Sequence, residues 1–142
     1  MLLVRTIAIF LLGLAVGSFL NVLIDRIPKN LSIGGRSYCD HCKRSLDILD
    51  LIPVFSFINL GGRCRFCKKP ISLRNPIVEL TVGILFVLAF LYISIFNIEL
   101  LFYFFIISSL IAIFFIDWKT QIIPDKIVYP AIFISFLFLL MT

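Results

Sequence analysis

Residues 6–24, 80–98 and 100–116 contain no charged side chain. A helix rises about 1.5 Å per residue, so each run approaches the length that crosses a hydrocarbon layer roughly 30 Å thick. A fourth apolar run, residues 127–141, is short for a span, and its abrupt end reads as a sequence stopping inside a fourth helix. The composition agrees. Of 142 residues, 61% are hydrophobic and 15% charged, with 16 Phe, against roughly half and a quarter in soluble domains. The expected class is an all-α polytopic membrane protein of about four transmembrane helices, the last apparently truncated.

The first run could be taken for a secretory signal, but it exceeds the usual apolar core and no small-residue cleavage site follows it. It is read as a retained helix within residues 1–26. It carries Gly13-x-x-x-Gly17, a spacing that permits close helix approach but is common in membrane helices.

Ten of the 13 basic residues lie between Arg26 and Arg74, and Lys119 and Lys126 follow the third run. The link around Asn97 and Glu99 has none. The positive-inside rule then places the 27–76 segment and the 117–126 loop in the cytoplasm. The net charge of +5 is explained by the bilayer, and no nucleic-acid partner is needed. Helices are expected at about 77–97, 99–117 and 127–142. Asn75 reads as a cap, with Pro76 at the first helical position and Glu79 in the first turn. Within the polar segment, "LDILDLIPVFSFINL" has no clean period and is expected to lie along the interface.

All four cysteines fall in that segment, as "CDHC" (39–42) and "CRFC" (64–67). Two Cys-x-x-Cys turns, each offering two thiolates, complete a tetrahedron around Zn²⁺, so Cys39, Cys42, Cys64 and Cys67 are the expected ligands of a structural, zinc-ribbon-like site. Two disulfides or a dithiol redox pair are the alternatives, disfavoured in reducing cytoplasm. His41 reads as a solvent-facing loop residue. A loop of this size has little core of its own, so a metal can supply stability that it lacks.

Asp117 closes the third run. Plainly read, it marks the end of a helix. Yet the dipole at a helix C-terminus and the adjoining apolar slab make this a costly place for a negative charge. A carboxylate kept there is suited to general acid/base work. Hydrolysis of a peptide bond takes two such groups, so Asp117 would need a partner. Asp125 reads as the N-cap of helix four, with a functional role as the alternative, and Asp25 as an interfacial anchor beside Arg26.

The segments "GSFLNVLIDRIP", "LIPVFSF", "GGRCRFC", "RNPIVELTVG" and "FFIDWKTQIIPD", in this order around four cysteines, resemble the bacterial type IV prepilin peptidases, membrane aspartic proteases of the Gly-x-Gly-Asp type. The resemblance covers nearly the whole chain. It implies cleavage of the basic leader of prepilin or pseudopilin substrates at the cytoplasmic face of the inner membrane. In many members it also implies methylation of the new N-terminus with S-adenosylmethionine. It puts the first catalytic aspartate on Asp117, the zinc ligands on the four cysteines, and a glycine associated with the methyltransferase on Gly62. Residues 77–142 would then begin the peptidase membrane domain. No Gly-x-Gly-Asp occurs in the sequence, so the chain reads either as a fragment, the favoured expectation, or as a shortened homologue without the second aspartate, and in both cases it is expected to be inactive alone as a peptidase. The competing readings are a non-enzymatic zinc-ribbon membrane adaptor and a membrane thiol oxidoreductase.

Overall fold

A computed structural model describes residues 1–39, 41–93 and 95–141. Ser94 and Thr142, at the ends of two expected helices, lie outside the described residues. The apolar runs become helices α1 (Leu2–Arg26), α3 (Arg74–Ile93) and α4 (Ile98–Thr120), all long and apolar enough to cross a membrane. A short α2 (Phe55–Asn59) and a 3-10 turn (Ile48–Leu51) occupy the polar segment. α5 (Asp125–Met141) has 17 residues, carries Pro130 inside it and buries none of its residues. The architecture is all-α and multi-pass. The described residues of the polar segment form only two isolated bridges, Tyr38 with Ser45 and Arg63 with Pro70.

The most extensive packing is between α1 and α3. Gly13 faces Gly83, Gly17 faces Glu79, and the Asn21 side chain donates to the Asn75 carbonyl at 3.0 Å, so the two helices run antiparallel. A Cβ on Gly13 or Gly17 would lie 2.6 Å from the Cα of its opposite number. The backbones therefore touch, as small residues allow where lipid supplies no hydrophobic drive. α4 covers the other side of this pair. Ile24, Val78, Val82, Phe86, Leu100 and Ile116 are the large side chains almost wholly removed from the surface. Phe86 and Phe104 stack with centroids 4.0 Å apart, and Phe102 and Phe138 join α4 to α5 in the same way at 3.9 Å.

Several helix ends depart from expectation. α3 begins at Arg74, so Asn75 and Pro76 lie inside its first turn and Asn75 is not the cap. Just before the helix, the Ser72 hydroxyl accepts the Arg74 N–H at 3.3 Å. Starting early moves Glu79 out of the first turn. α4 continues past the expected 117 to Thr120, because the chain stays helical until Gln121 turns into the left-handed region and donates its N–H to the Asp117 carbonyl. Asn97 caps its start, accepting from the Leu100 N–H. Asp125 is likewise not a cap. It is the first residue of α5, while the Pro124 carbonyl accepts from Ile127 and Val128. Its charge still faces the positive helix end.

Candidate metal centre and the cleft beside it

The described residues of the two cysteine turns make the same backbone hydrogen bonds. In the first, the Cys39 N–H donates to the Arg44 carbonyl and the Lys43 N–H to the Cys39 carbonyl, both at 2.9 Å. In the second, Cys64 donates to Lys69 at 2.9 Å and Lys68 to Cys64 at 3.0 Å. Lys43 and Lys68 occupy equivalent left-handed positions, with φ of 57° and 58°. A side-chain residue sits there at a cost of about 1–2 kcal/mol, and the turn it makes directs both sulfurs to one point. The Ser37 carbonyl accepts from Leu46 in one turn, and the Gly62 carbonyl accepts from Ile71 in the other. The sequence likeness of the pairs is thus a structural repeat.

The four sulfurs lie within 4.8 Å of one another, with Cys39 and Cys67 at 3.8 Å. A tetrahedron with metal–sulfur bonds of about 2.3 Å has edges near 3.8 Å, so this set could hold one metal ion. A disulfide needs about 2.05 Å, and all four thiols are free. The environment already differentiates the thiols. N–H groups of Cys67 and Phe66 aimed at Cys64 bring that thiol down to about 6 despite its burial. Cys67 receives the Lys69 N–H, which favours its thiolate, but burial and the crowding of the other three sulfurs push it up to about 11. His41 is exposed, as expected of a loop residue.

Gly62 has φ of +68°, and a Cβ there would lie 3.0 Å from the Phe57 ring, whereas one on Gly61 would meet nothing. Gly62 is required where the second knuckle folds back on α2.

Four sets of interactions, within this layer, among the membrane helices and between the two, were not visible in the sequence. Arg26, buried at the end of α1, donates to the carbonyls of Ser32, Ile33, Gly34 and Arg36 at 2.6–3.1 Å and so wraps the loop leading to the first knuckle. Asp25 accepts two bonds from Arg74 (2.9 and 2.6 Å) and one from Lys119 (3.0 Å), joining α1, α3 and α4 at one end. Glu79, buried in α3, accepts the Val54 N–H at 2.7 Å. Asp50, its side chain 2% exposed, pairs with Arg65 at 2.7 Å. For Asp25, Arg26 and Arg74 the only signal in the sequence is a polar residue near the end of an apolar run, and such residues are ordinarily interfacial anchors; Asp50 and Arg65 carry no signal beyond being charges in a polar loop.

The Asp25 cluster places the last turn of α4 at the same end of the bundle as the knuckles. Asp117 lies in that turn, exposed, between the buried Ile116 and the exposed Trp118. A cleft of about 880 Å³ separates the knuckles from the helix ends; Cys39, Cys64, Asp50, Arg74, Phe115 and Trp118 are among the residues lining it. Asp117 itself is not in its wall.

The Bacterial Peptidase A24 N-terminal domain family matches residues 11–93. A "Prepilin leader peptidase/N-methyltransferase" of Klebsiella pneumoniae is 39% identical over 138 residues, covering 92% of this chain and 60% of that protein. One from Myxococcus xanthus is 41% identical over 123 residues, or 86% of this chain and 36% of the relative. A "Type 4 prepilin-like proteins leader peptide-processing enzyme" of Escherichia coli is 40% identical over 96 residues, 54% of this chain and 36% of its own length. The chain thus spans between about a third and three fifths of these relatives. No solved structure matches.

Proposed function

The chain belongs to the bacterial prepilin peptidase (A24) family, and on that premise we propose that it carries the first catalytic aspartate of an aspartic endopeptidase. The enzyme cuts the short basic leader from prepilin or pseudopilin substrates at the cytoplasmic face of the inner membrane. Asp117 is that aspartate. The observation that carries the reading is its position: exposed on the last turn of a membrane-length helix, at the end of the bundle where the basic loops gather.

Two carboxylates are needed, one to activate water and the other, protonated, to polarise the scissile carbonyl. No Gly-x-Gly-Asp occurs among the 142 residues, so these residues alone should not cut a prepilin. The cysteine set holds Zn²⁺ in a structural role, since four protein ligands leave no open position for substrate. Its two knuckles cover the helix ends and shape the cleft. A second activity, N-methylation of the new N-terminus from S-adenosylmethionine, accompanies cleavage, consistent with the names of the relatives and with Gly62 in the second knuckle.

The test is Asp117→Asn in the complete gene product. Processing of a prepilin should be lost while zinc content and melting stay unchanged. Cleavage at the native rate would overturn the assignment and leave a zinc-stapled membrane adaptor as the reading.

A further inference from the structure

Residues 51–62, "LIPVFSFINLGG", contain no charged side chain. A run of this length is too short to span a bilayer and suits a buried core helix or a re-entrant or interfacial segment. It is not core, since α2, inside it, buries none of its residues. Phe55 and Ile58, three positions apart and so on one helix face, are 63% and 70% exposed, and Leu51 and Ile52 are exposed beside them. Phe57 turns the other way, toward Gly62 in the second knuckle.

The membrane-length helices fix the depth of this segment. The Val54 N–H donates to Glu79 at 2.7 Å, and Glu79 lies against Gly17 of α1. Gly17 stands seven residues, about 10 Å, inside the charge-free run that ends at Ile24. That run, residues 6–24, is about 28 Å of helix, barely the thickness of the hydrocarbon layer, so nearly all of it lies within the layer. The Glu79 side chain leans toward the start of α3, which lifts its carboxylate only part of the way. Val54 then sits roughly 5–10 Å below the boundary, the depth at which interfacial helices bury their apolar face. Ala15, Phe19 and Val22 of α1 line one side of a cavity of about 460 Å³, and Leu51, Pro53 and Phe57 line the other, so the segment runs beside residues at membrane level.

Backbone at that depth must satisfy its own polar groups or line a wet cavity. Ser56, Ile58, Leu60, Gly61 and Gly62 donate to carbonyls within the segment, and Pro53 has no N–H. Val54 precedes α2, where a helix offers no acceptor of its own, and Glu79 supplies one. The φ of 60° at Val54 is a conformation that a β-branched residue keeps only where its surroundings enforce it. The inner side of the segment faces the cavity, where the buried Asn21 Oδ1 has no protein donor and the volume admits water. We infer that residues 51–58 form a re-entrant segment that dips into the leaflet on the side of the knuckles. Lipid acyl chains are the partner of Leu51, Ile52, Phe55 and Ile58, and Glu79 is the acceptor that lets the Val54 amide leave water. The exposed Arg63, Arg65, Lys68 and Lys69 follow directly and stand where anionic headgroups lie. Such a segment is independent of any role for Asp117.

Trp118, the single tryptophan of the chain, is exposed and is replaced by Phe so that one new indole at a time can be read. The zinc-loaded 142-residue protein, in vesicles of phosphatidylethanolamine and phosphatidylglycerol, carries Phe55→Trp, Ile58→Trp or, as a reference in the first knuckle, Ser45→Trp. The first two should lose about half or more of their emission in lipid brominated along the upper acyl chain, as insertion to this depth requires. They should also be shielded about threefold or more from aqueous iodide relative to the reference. Glu79→Leu removes the acceptor and should open the Phe55→Trp indole to iodide, whereas Glu79→Gln keeps an oxygen there and should not. Zinc content and helical circular dichroism certify both folds. Free access of iodide without bromine quenching at both positions overturns the insertion. Shielding without bromine quenching reveals protein on this face, such as a second copy of the chain, and overturns it equally. Bromine quenching that persists unchanged in folded Glu79→Leu overturns the part given to Glu79.

Discussion

Replacing Gly17 by alanine adds one methyl group at the point where α1 and α3 touch. That Cβ would stand 2.6 Å from the Glu79 Cα, 3.2 Å from its N and 3.3 Å from its O. All three are backbone atoms, which no rotamer change can move. Restoring ordinary contact requires the helices to part by roughly 0.8 Å, and a gap of that size forfeits about a quarter to a half of each dispersion contact along the seam. Overpacking of this kind costs about 1–3 kcal/mol. The better helix propensity of alanine returns up to about 1 kcal/mol, so a net loss of about 1–2 kcal/mol is expected for Gly17→Ala, and the same for Gly13→Ala. Gly83→Ala supplies the contrast. Its Cβ would meet the ends of the Phe10 and Leu14 side chains at 2.9–3.1 Å, and these can rotate away, so its net effect should lie within about 0.5 kcal/mol of zero. Reversible unfolding in mixed micelles, followed by helical circular dichroism, gives the order. Native stability in Gly17→Ala, or a larger loss in Gly83→Ala than in Gly17→Ala, would refute the backbone-contact argument.

Chelation of the metal, or Cys64→Ser, should make residues 37–71 sensitive to protease while the three long helices persist, as seen in the fragment pattern. Binding of the metal must displace the proton of Cys67, held up at about 11, so affinity in a zinc competition titration should fall as the pH is lowered. In the metal-free protein, the stability gained from Cys64 is complete above its ordinary value of 9.0 and lost as the pH falls through about 6. The contribution of Cys67 is complete below 9.0 and lost as the pH rises through about 11. The metal-free loop should therefore melt highest near pH 9. Gly62→Ala should destabilise by about 1–2 kcal/mol for its backbone conformation and further for the Phe57 contact. Gly61→Ala, with open space around it, should lose only the first of these; chemical denaturation of the two side by side decides it. Asp25→Asn leaves the mostly covered Arg74 guanidinium and Lys119 without their carboxylate. It should cost about 1 kcal/mol, the pair being partly solvent-screened, and should lower the salt dependence of the melting temperature.

Much of the molecule is legible from the chain by itself. Charge-free runs near 20 residues dictate membrane-length helices, because length and apolarity along one segment suffice for that inference. Four cysteines in two equally spaced pairs point to one cluster of sulfurs that could hold a metal ion, because two residues of spacing already determine how a turn presents its sulfurs. Their knuckles indeed fold as a repeat. Asp117 also stands out locally, as an acid ending an apolar run. What the chain could not disclose is whatever depends on residues far apart in it. Gly13 and Gly17 form a common pattern until Gly83 and Glu79 arrive from another helix and turn it into backbone contact. Asp25 resembles an anchor until Arg74 and Lys119, about 50 and 94 positions away, converge on it. Glu79 looks like a helix-start charge until Val54 donates to it, and the cleft exists only between the loop and helices that fold beside it. Local patterns determine elements because their physics acts along a few consecutive residues; partners, cavities and orphaned polar atoms are products of packing, and only the tertiary structure decides them.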